Sequence, residues 1–471
     1  MLPQLVLVLA LALQPRGAQA DTPETLWVGE GRAYATPAAA LEAARSGDTI
    51  RVAAGRYSGS LRVEKPVVLI AEPGAVLDGG GMGTVVTLAA DSAELHGFVV
   101  RNSGRSLDRD DAAVKLERCK GCRVEDNRIE GSLHGIYLLE SSGATLSGNT
   151  IHGNEELLEA RRGNGIHLFN SVGNHLEANV IRASRDGIYF SFATHNEVVG
   201  NDVARVRYGL HYMYSDDNRF IGNRFTRNAA GAAIMFSKRI ELRDNLFAEH
   251  VGYRAYGILL QTSERIMAVG NRVEGNLVGI FLDNSTHNHF RENVIAGNGT
   301  GIDLLTSAEQ NTFTNNAIVH NTTPVRMARG GGQNTWAVDG RGNYWGDREV
   351  FDLDGDGIGD RPYRASDPFA TLAGLRPVLE IFAGTPAARA LSWAERAFPV
   401  FDLPSVEDPS PLVRPPEGLS VAPPEPRVVR TSNRRDESKP IAATDSRTRH
   451  RFGMEGTDAP HATARVTREE R

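Results

Sequence analysis

The residues best suited to chemistry in this chain cluster in one short stretch, Tyr208–Asn223 (YGLHYMYSDDNRFIGN), and its neighbours. His211 and Met213 stand two apart, so on an extended strand both side chains leave the same face, about 6.5 to 7 Å apart at Cα. Corresponding positions in the flanking segments read as Tyr189 and Met235, with His167 further back. If the segments stack in register, His211 neighbours Met235 on one side and Tyr189 on the other. One imidazole and two thioethers then converge, a donor set that favours Cu(I) over calcium, magnesium or zinc because soft sulfur pairs with a soft cation. The same residues also read as a protein-contact surface, with His211 bonded to Asp216 or Asp217; the two readings are compatible.

A second cluster is hard rather than soft. Asp352, Asp354, Asp356 and Asp360 fall at positions 1, 3, 5 and 9 of a loop with Gly at position 6, like the opening of an EF-hand calcium loop. Tyr363 stands where the bidentate Glu belongs and no helices flank the loop. The alternatives are a structural calcium site and a solvated acidic turn. Cys119 and Cys122 read as a short disulfide of an oxidising compartment or as a thiol pair for Cu(I). Acid for catalysis is present at Asp108–Asp111, but in a loop with no Arg or Lys stacked beside it, and no Ser or Cys nucleophile arrangement appears. A carbohydrate-active lyase or epimerase is therefore the alternative to a non-enzymatic protein.

The elements that position these groups are repeats. Asn recurs at 127, 149, 179, 201, 223, 245, 271 and 293, in steps of 22, 30, 22, 22, 22, 26 and 22, with a slipped copy at Asn316. Glu155–Arg162 accounts for the step of 30, and residues around Tyr253–Ala255 for that of 26. Gly-Ile or Gly-Leu keeps the same beat at 135, 165, 187, 209, 257, 279 and 301, with Ala233-Ile234 standing in once. Apolar residues then alternate, as in Ile188/Phe190 and Leu210/Tyr212, which is strand periodicity with those residues turned inward. A further Asn column at 174, 196, 218, 288 and 311 marks the turns, where stacked amides can satisfy polar groups the coil would bury. A period of this length built from strands predicts an all-β, right-handed parallel β-helix, a pectate-lyase-like solenoid. Thr36-Pro37 followed by an Ala-rich run predicts a short N-terminal capping helix.

The repeat, the capping helix, YGLHYMYS and the later GNYWGDREVFDLDGDGIGDRPY resemble the NosD family, exported β-helix accessory proteins of nitrous oxide reductase maturation. The resemblance spans Thr36 to Pro404. It implies a role in supplying the copper centre of that enzyme. The implied partners are an ABC transporter permease with its ATPase, a copper chaperone and apo nitrous oxide reductase. It makes His211, Met213, Met235 and His167 the candidates for copper.

The ends of the chain complete the reading. Leu5–Leu13 is an apolar run too short to span a bilayer, and Ala18-Gln19-Ala20 is a small-x-small site before Asp21. Residues 1–20 thus read as a secretory signal, which with the resemblance places the mature chain in the periplasm. The β-helix is expected over 21–370, and a segment with a helix over 371–404 as the candidate for docking a transporter's membrane subunit. Residues 405–471 read as a disordered tail rich in Pro and charge. Net charge is −6 with no strongly basic block ahead of that tail, which argues against nucleic acid. No later apolar run is long enough to be a transmembrane helix, so membrane attachment would go through partners.

Overall fold

The computed structural model describes residues 22–421, apart from 306, 328–332, 347–349, 366–368, 370–371, 373–376, 383–384 and 398–405. The expected parallel β-helix forms. Each coil gives one strand to each of three parallel sheets, of 12, 13 and 13 strands. Sheet I holds the Gly-led strands, from Leu61–Val63 to Thr323–Met327. Sheet II runs from Thr25–Val28 to Thr312–Thr314, and sheet III from Gly55–Ser58 to Tyr344–Trp345. The period-two pattern is the cause: along the sheets alternate Ile, Leu, Val and Phe are buried in the bore. There they stack on their counterparts one coil away, as Phe225 does on Phe247 at 5.2 Å and Phe290 on Phe313 at 4.8 Å.

Amide ladders hold the corners. Each Asn of the 127–293 column after the first accepts at Oδ1 from the backbone N–H and the Nδ2 of the preceding Asn, as Asn223 does from Asn201 at 2.9 and 3.0 Å, while Asn127 accepts from Phe98 N. Its own Nδ2 also donates to a carbonyl of the preceding coil, Val198 O at 2.8 Å. Asn316, expected as a slipped copy, continues the same column off the 22-residue beat. Asn293 donates to it and it donates to Asn343, at separations of 23 and 27 residues, because loops absorb the extra length. A third column, in steps of 22, 26, 22 and 23 and with His250 in one Asn position, runs through Asn228, His250, Asn276, Asn298 and Asn321.

Both ends of the bore are closed. The helix Pro37–Ala43 starts on the Thr36 hydroxyl, which accepts from Ala39 N at 3.2 Å, and ends with Lys65 Nζ donating to the carbonyls of Leu41 and Ala44. The strands around it are coils of the solenoid itself, as expected of residues from 21 onward. At the far end Trp345 fills the bore and stacks on Tyr363 at 4.2 Å. The expected tail boundary at 405 is displaced: Val406–Asp408 pairs antiparallel with Tyr363–Ala365, and Asp408 is fully buried. Its carboxylate accepts from Asn343 N at 2.7 Å, Trp345 Nε1 at 2.8 Å and Ser410 N at 3.1 Å. Asp408 thereby ends the long Asn ladder where the next Asn would stand. The helix Pro386–Ala397 forms with the Thr385 hydroxyl accepting from Ala388 N, while the apolar Phe398–Phe401 lies outside the described residues. Among the described residues no helix is long and apolar enough to cross a membrane.

Burial pushes the Asp408 carboxyl up, against the hydrogen bonds that favour its charged form. Asp408→Asn, which keeps an acceptor and removes the charge, should match or exceed the wild type in urea unfolding at pH 7. That advantage should shrink as pH falls toward about 4, since a raised carboxyl stabilises the fold only when protonated. Asp408→Ala strands the buried donors Asn343 N and Trp345 Nε1 and should cost at least about 2 kcal/mol.

Candidate metal centre

The outward positions of sheet I stack in two columns. One reads Tyr137, His167, Tyr189, His211, Ala233, Leu259 and Phe281. The other reads Leu139, Phe169, Ser191, Met213, Met235, Gln261 and Asp283. His211 therefore neighbours Ala233, and Met235 stacks on Met213, which corrects the register expected from Ala233-Ile234. Gly231, not Ala233, fills the glycine position of that coil. A Cβ there would lie 2.3 Å from Gly257 O, so only glycine lets adjacent coils approach. The correction brings the two thioethers together, both half-buried, with His211 one coil from Met235 on the diagonal. The Tyr189 hydroxyl lies 3.8 Å from Met213 Sδ.

His211 is held from behind. Its Nδ1 lies 3.0 Å from Asp186 Oδ2, and an ionised carboxylate only accepts, so Nδ1 carries a proton and Nε2 is the ring nitrogen left to face a metal. Arg207 grips the same carboxylate with two hydrogen bonds, 2.8 and 2.7 Å, and Asp186 is fully buried. Burial by itself would raise the Asp186 carboxyl, but the bonds from His211 and Arg207 outweigh it and hold it well below the usual range. A carboxylate on one ring nitrogen with the other left free is the way metal-binding histidines are oriented. Asp216 and Asp217, the expected partners of His211, are instead bound by Arg239. Asp186 and Arg207 carried no sequence signal, since they sit 25 and 4 residues from His211 and meet it only through the coil.

His167 stands two coils away with its ring edge-on between Tyr137 and Tyr189, at 4.5 and 4.6 Å. Asn164 Oδ1 accepts from Arg185, which turns its Nδ2 toward His167 Nδ1 at 3.4 Å. The ring proton is then on Nε2, which is buried and has no hydrogen-bond partner. That nitrogen offers a donor and no lone pair, and burial keeps the ring neutral. The His167 ring thus forms part of the aromatic column that leads to His211.

The remaining candidates are placed plainly. Cys119 and Cys122 form a disulfide, both buried. Carboxylate oxygens of Asp352, Asp354 and Asp356 lie within 4.8 Å of one another, whereas Asp360 turns back to accept from Leu353 N. The loop is fastened to the C-terminal segment: Gly359 N donates to Pro411 O and Val413 N to Gly357 O. In the acidic stretch Asp108–Asp111, Asp111 is buried, accepting from Ser106 N and Arg109. Contrary to expectation a cation does stand beside this loop: Lys115 donates to Arg109 O and lies over the Tyr137 ring at 5.2 Å.

Fold and face together define a parallel β-helix protein with a patch of Met and His side chains on one sheet. A sequence model of a family described as "periplasmic copper-binding protein (NosD)" matches residues 43–160 and 152–349. A Pseudomonas aeruginosa protein named a probable ABC transporter binding protein NosD is 39% identical over 407 residues, 83% of this chain and 94% of the relative. A Stutzerimonas stutzeri protein of the same name is 36% identical, over 77% of this chain and 86% of the relative. The chain belongs to the NosD family of periplasmic copper-binding proteins. Among solved structures, the catalytic domain of an α-1,3-glucanase aligns at 14% identity and TM-score 0.49, covering 71% of each chain. The A-module of a mannuronan C-5 epimerase from Azotobacter vinelandii aligns at 14% identity and TM-score 0.43, over 63% of this chain and 88% of its own. These share the coil architecture alone.

Asp186→Asn should cost about 2–3 kcal/mol in urea unfolding at pH 7, because Arg207 loses its buried counter-charge. A lowered carboxyl stabilises the fold above its unfolded pKa, near 3.9, and that contribution disappears as pH falls. The gap between wild type and variant should therefore close progressively below about pH 4.

Proposed function

We propose that this chain is a non-enzymatic assembly factor for the copper centre of nitrous oxide reductase, holding Cu(I) transiently on sheet I. The observation that carries the reading is the stacked Met213–Met235 pair beside a histidine whose Nδ1 is committed to Asp186. Two thioethers and one imidazole suit Cu(I) and suit hard cations poorly. Family membership supports copper, and the names of the relatives support work with an ABC transporter. A copper chaperone delivering the ion and apo nitrous oxide reductase receiving it complete the proposed route. In a competition titration against a Cu(I) chelator, the wild type should bind one equivalent. The His211→Ala, Met213→Ala double variant should lose it, and His167→Phe should retain it. Unchanged Cu(I) binding in the double variant would sink the reading.

For the acidic loop we propose a structural calcium ion. Three carboxylates with oxygens within 4.8 Å, on a loop hydrogen-bonded to residues 411–413, support it. Calcium at a hundredfold excess over its Kd should stabilise the chain by about 2.7 kcal/mol. Asp354→Ala with Asp356→Ala should abolish the effect, and magnesium should not replace calcium. An unfolding curve indifferent to calcium and to chelator would rule the ion out.

A further inference from the structure

Tyr189 stands in the first outward column of sheet I, one coil before His211. The coil makes no demand on that position. Its counterparts are Tyr137, His167, His211, Ala233 and Leu259, so neither a ring nor a hydroxyl is needed to build the solenoid. The ring of Tyr189 is nevertheless fixed from both sides. His167 meets it edge-on at 4.6 Å and 75°, and His211 lies on its other side at 4.6 Å and 58°. A ring so held delivers its hydroxyl to one place, and that place is the Met213 sulfur, 3.8 Å away.

A thioether only accepts, so the Tyr189 O–H is the donor. The Ser191 hydroxyl bonds to the same phenol oxygen and favours its charged form, so it donates there and leaves the Tyr189 proton for the sulfur. Ser191 is itself buried and stacks beside Met213 in the second column. Burial and the nearby charge of Asp186 hold the phenol above its ordinary pKa, so it remains a donor at neutral pH.

The two stacked thioethers are therefore unlike. Met213 has its sulfur engaged, whereas among the described residues no donor reaches the Met235 sulfur. The repeat sets the contrast: Tyr189 reaches Met213 along the same diagonal on which His211 faces Met235. One coil on, an imidazole suited to a metal takes the place of a hydroxyl that binds sulfur.

We infer that the Tyr189 hydroxyl sets how tightly and how long Cu(I) is held on sheet I, by competing with the ion for the Met213 sulfur. The inference rests on the copper reading above and adds what regulates that site. As Cu(I) binds Met213, one coordinate bond forms at sulfur and one O–H···S bond breaks. Copper keeps its oxidation state and Tyr189 keeps its proton. The half-buried hydroxyl loses its acceptor in that exchange, so the cost falls on the metal-bound state. Affinity is lowered and release is quickened, as a transient holder requires. Groups behind a metal's ligands usually strengthen binding by orienting the ligand, as Asp186 orients His211. Tyr189 acts in the opposite sense, because it donates to the ligand atom itself.

The test is Tyr189→Phe in the full chain, which keeps the ring between His167 and His211 and removes only the hydroxyl. Its unfolding temperature should stay within about 5 °C of wild type. In an anaerobic titration with Cu(I) alone against a chelator, the variant should bind at least about threefold more tightly, the size of one net hydrogen bond. Release into excess chelator should slow by a similar factor. A tyrosine that only packs, or that helps to hold copper, gives unchanged or weaker binding in the variant. Either result overturns the inference and leaves the copper reading in place, whereas Cu(I) bound by neither protein overturns both. Hydrogen peroxide gives a readout that needs no copper: it passes one oxygen to a thioether, forming the sulfoxide, and leaves as water. In copper-free protein, peptide mass spectrometry should show Met213 oxidised at least about twofold faster in the variant, with Met235 unchanged. Equal Met213 rates in the two proteins would mean that the hydroxyl does not engage the sulfur, and the inference fails whatever copper does.

Discussion

A coil of three short strands leaves backbone amides at every corner facing a bore with no water in it. Each unpaired amide would cost about 1–3 kcal/mol, several per coil, more than a thin apolar bore could carry. The side-chain amide columns resolve this with one residue type. Asn accepts from the backbone of one coil and donates to a carbonyl there, while its own N–H passes to the next Asn. Serine does the same on a parallel column, where Ser215 N donates to Ser237 Oγ at 2.9 Å. Pitch and register follow, because a coil that slipped by one residue would break every column at once.

That register is what makes the face of sheet I meaningful. Outward side chains meet only those of adjacent coils, so a functional group must be assembled along a column or on a diagonal. His211 is assembled on a diagonal: Asp186 comes from the preceding coil and Arg207 from the start of its own. The thioethers are assembled along a column. The arrangement needs no loop to order it, since each strand is hydrogen-bonded on both sides. Such a frame keeps outward side chains from collapsing on each other, which is what the proposed Cu(I) site would need.

The closing elements depend on the same columns. Asp408 accepts the last amide of the ladder and the indole of Trp345, so the segment after residue 405 completes the bore rather than trailing from it. The acidic loop is fastened to residues 411 and 413 just beyond. Chain closure and the candidate calcium loop are thus neighbours, and the C-terminal segment returns as far as Arg272, whose Nη1 donates to Ser420 O.

By itself the sequence determined the fold class, the coil length and most of the inward and outward assignments. A 22-residue beat in Asn and Gly with period-two apolar residues leaves few other ways to bury those side chains. It also isolated His211, Met213 and Met235 as residues the coil does not need. The tertiary structure decided which coil aligned with which. One glycine, Gly231, shifted a single strand by two residues, and that moved Met235 from His211 to Met213. The partners of His211, the protonation of His167 and the capping role of Asp408 were also beyond reach of spacing. Each depends on contacts between coils, set by hydrogen bonds whose partners lie 21 to 65 residues apart, and sequence distance carries no record of them.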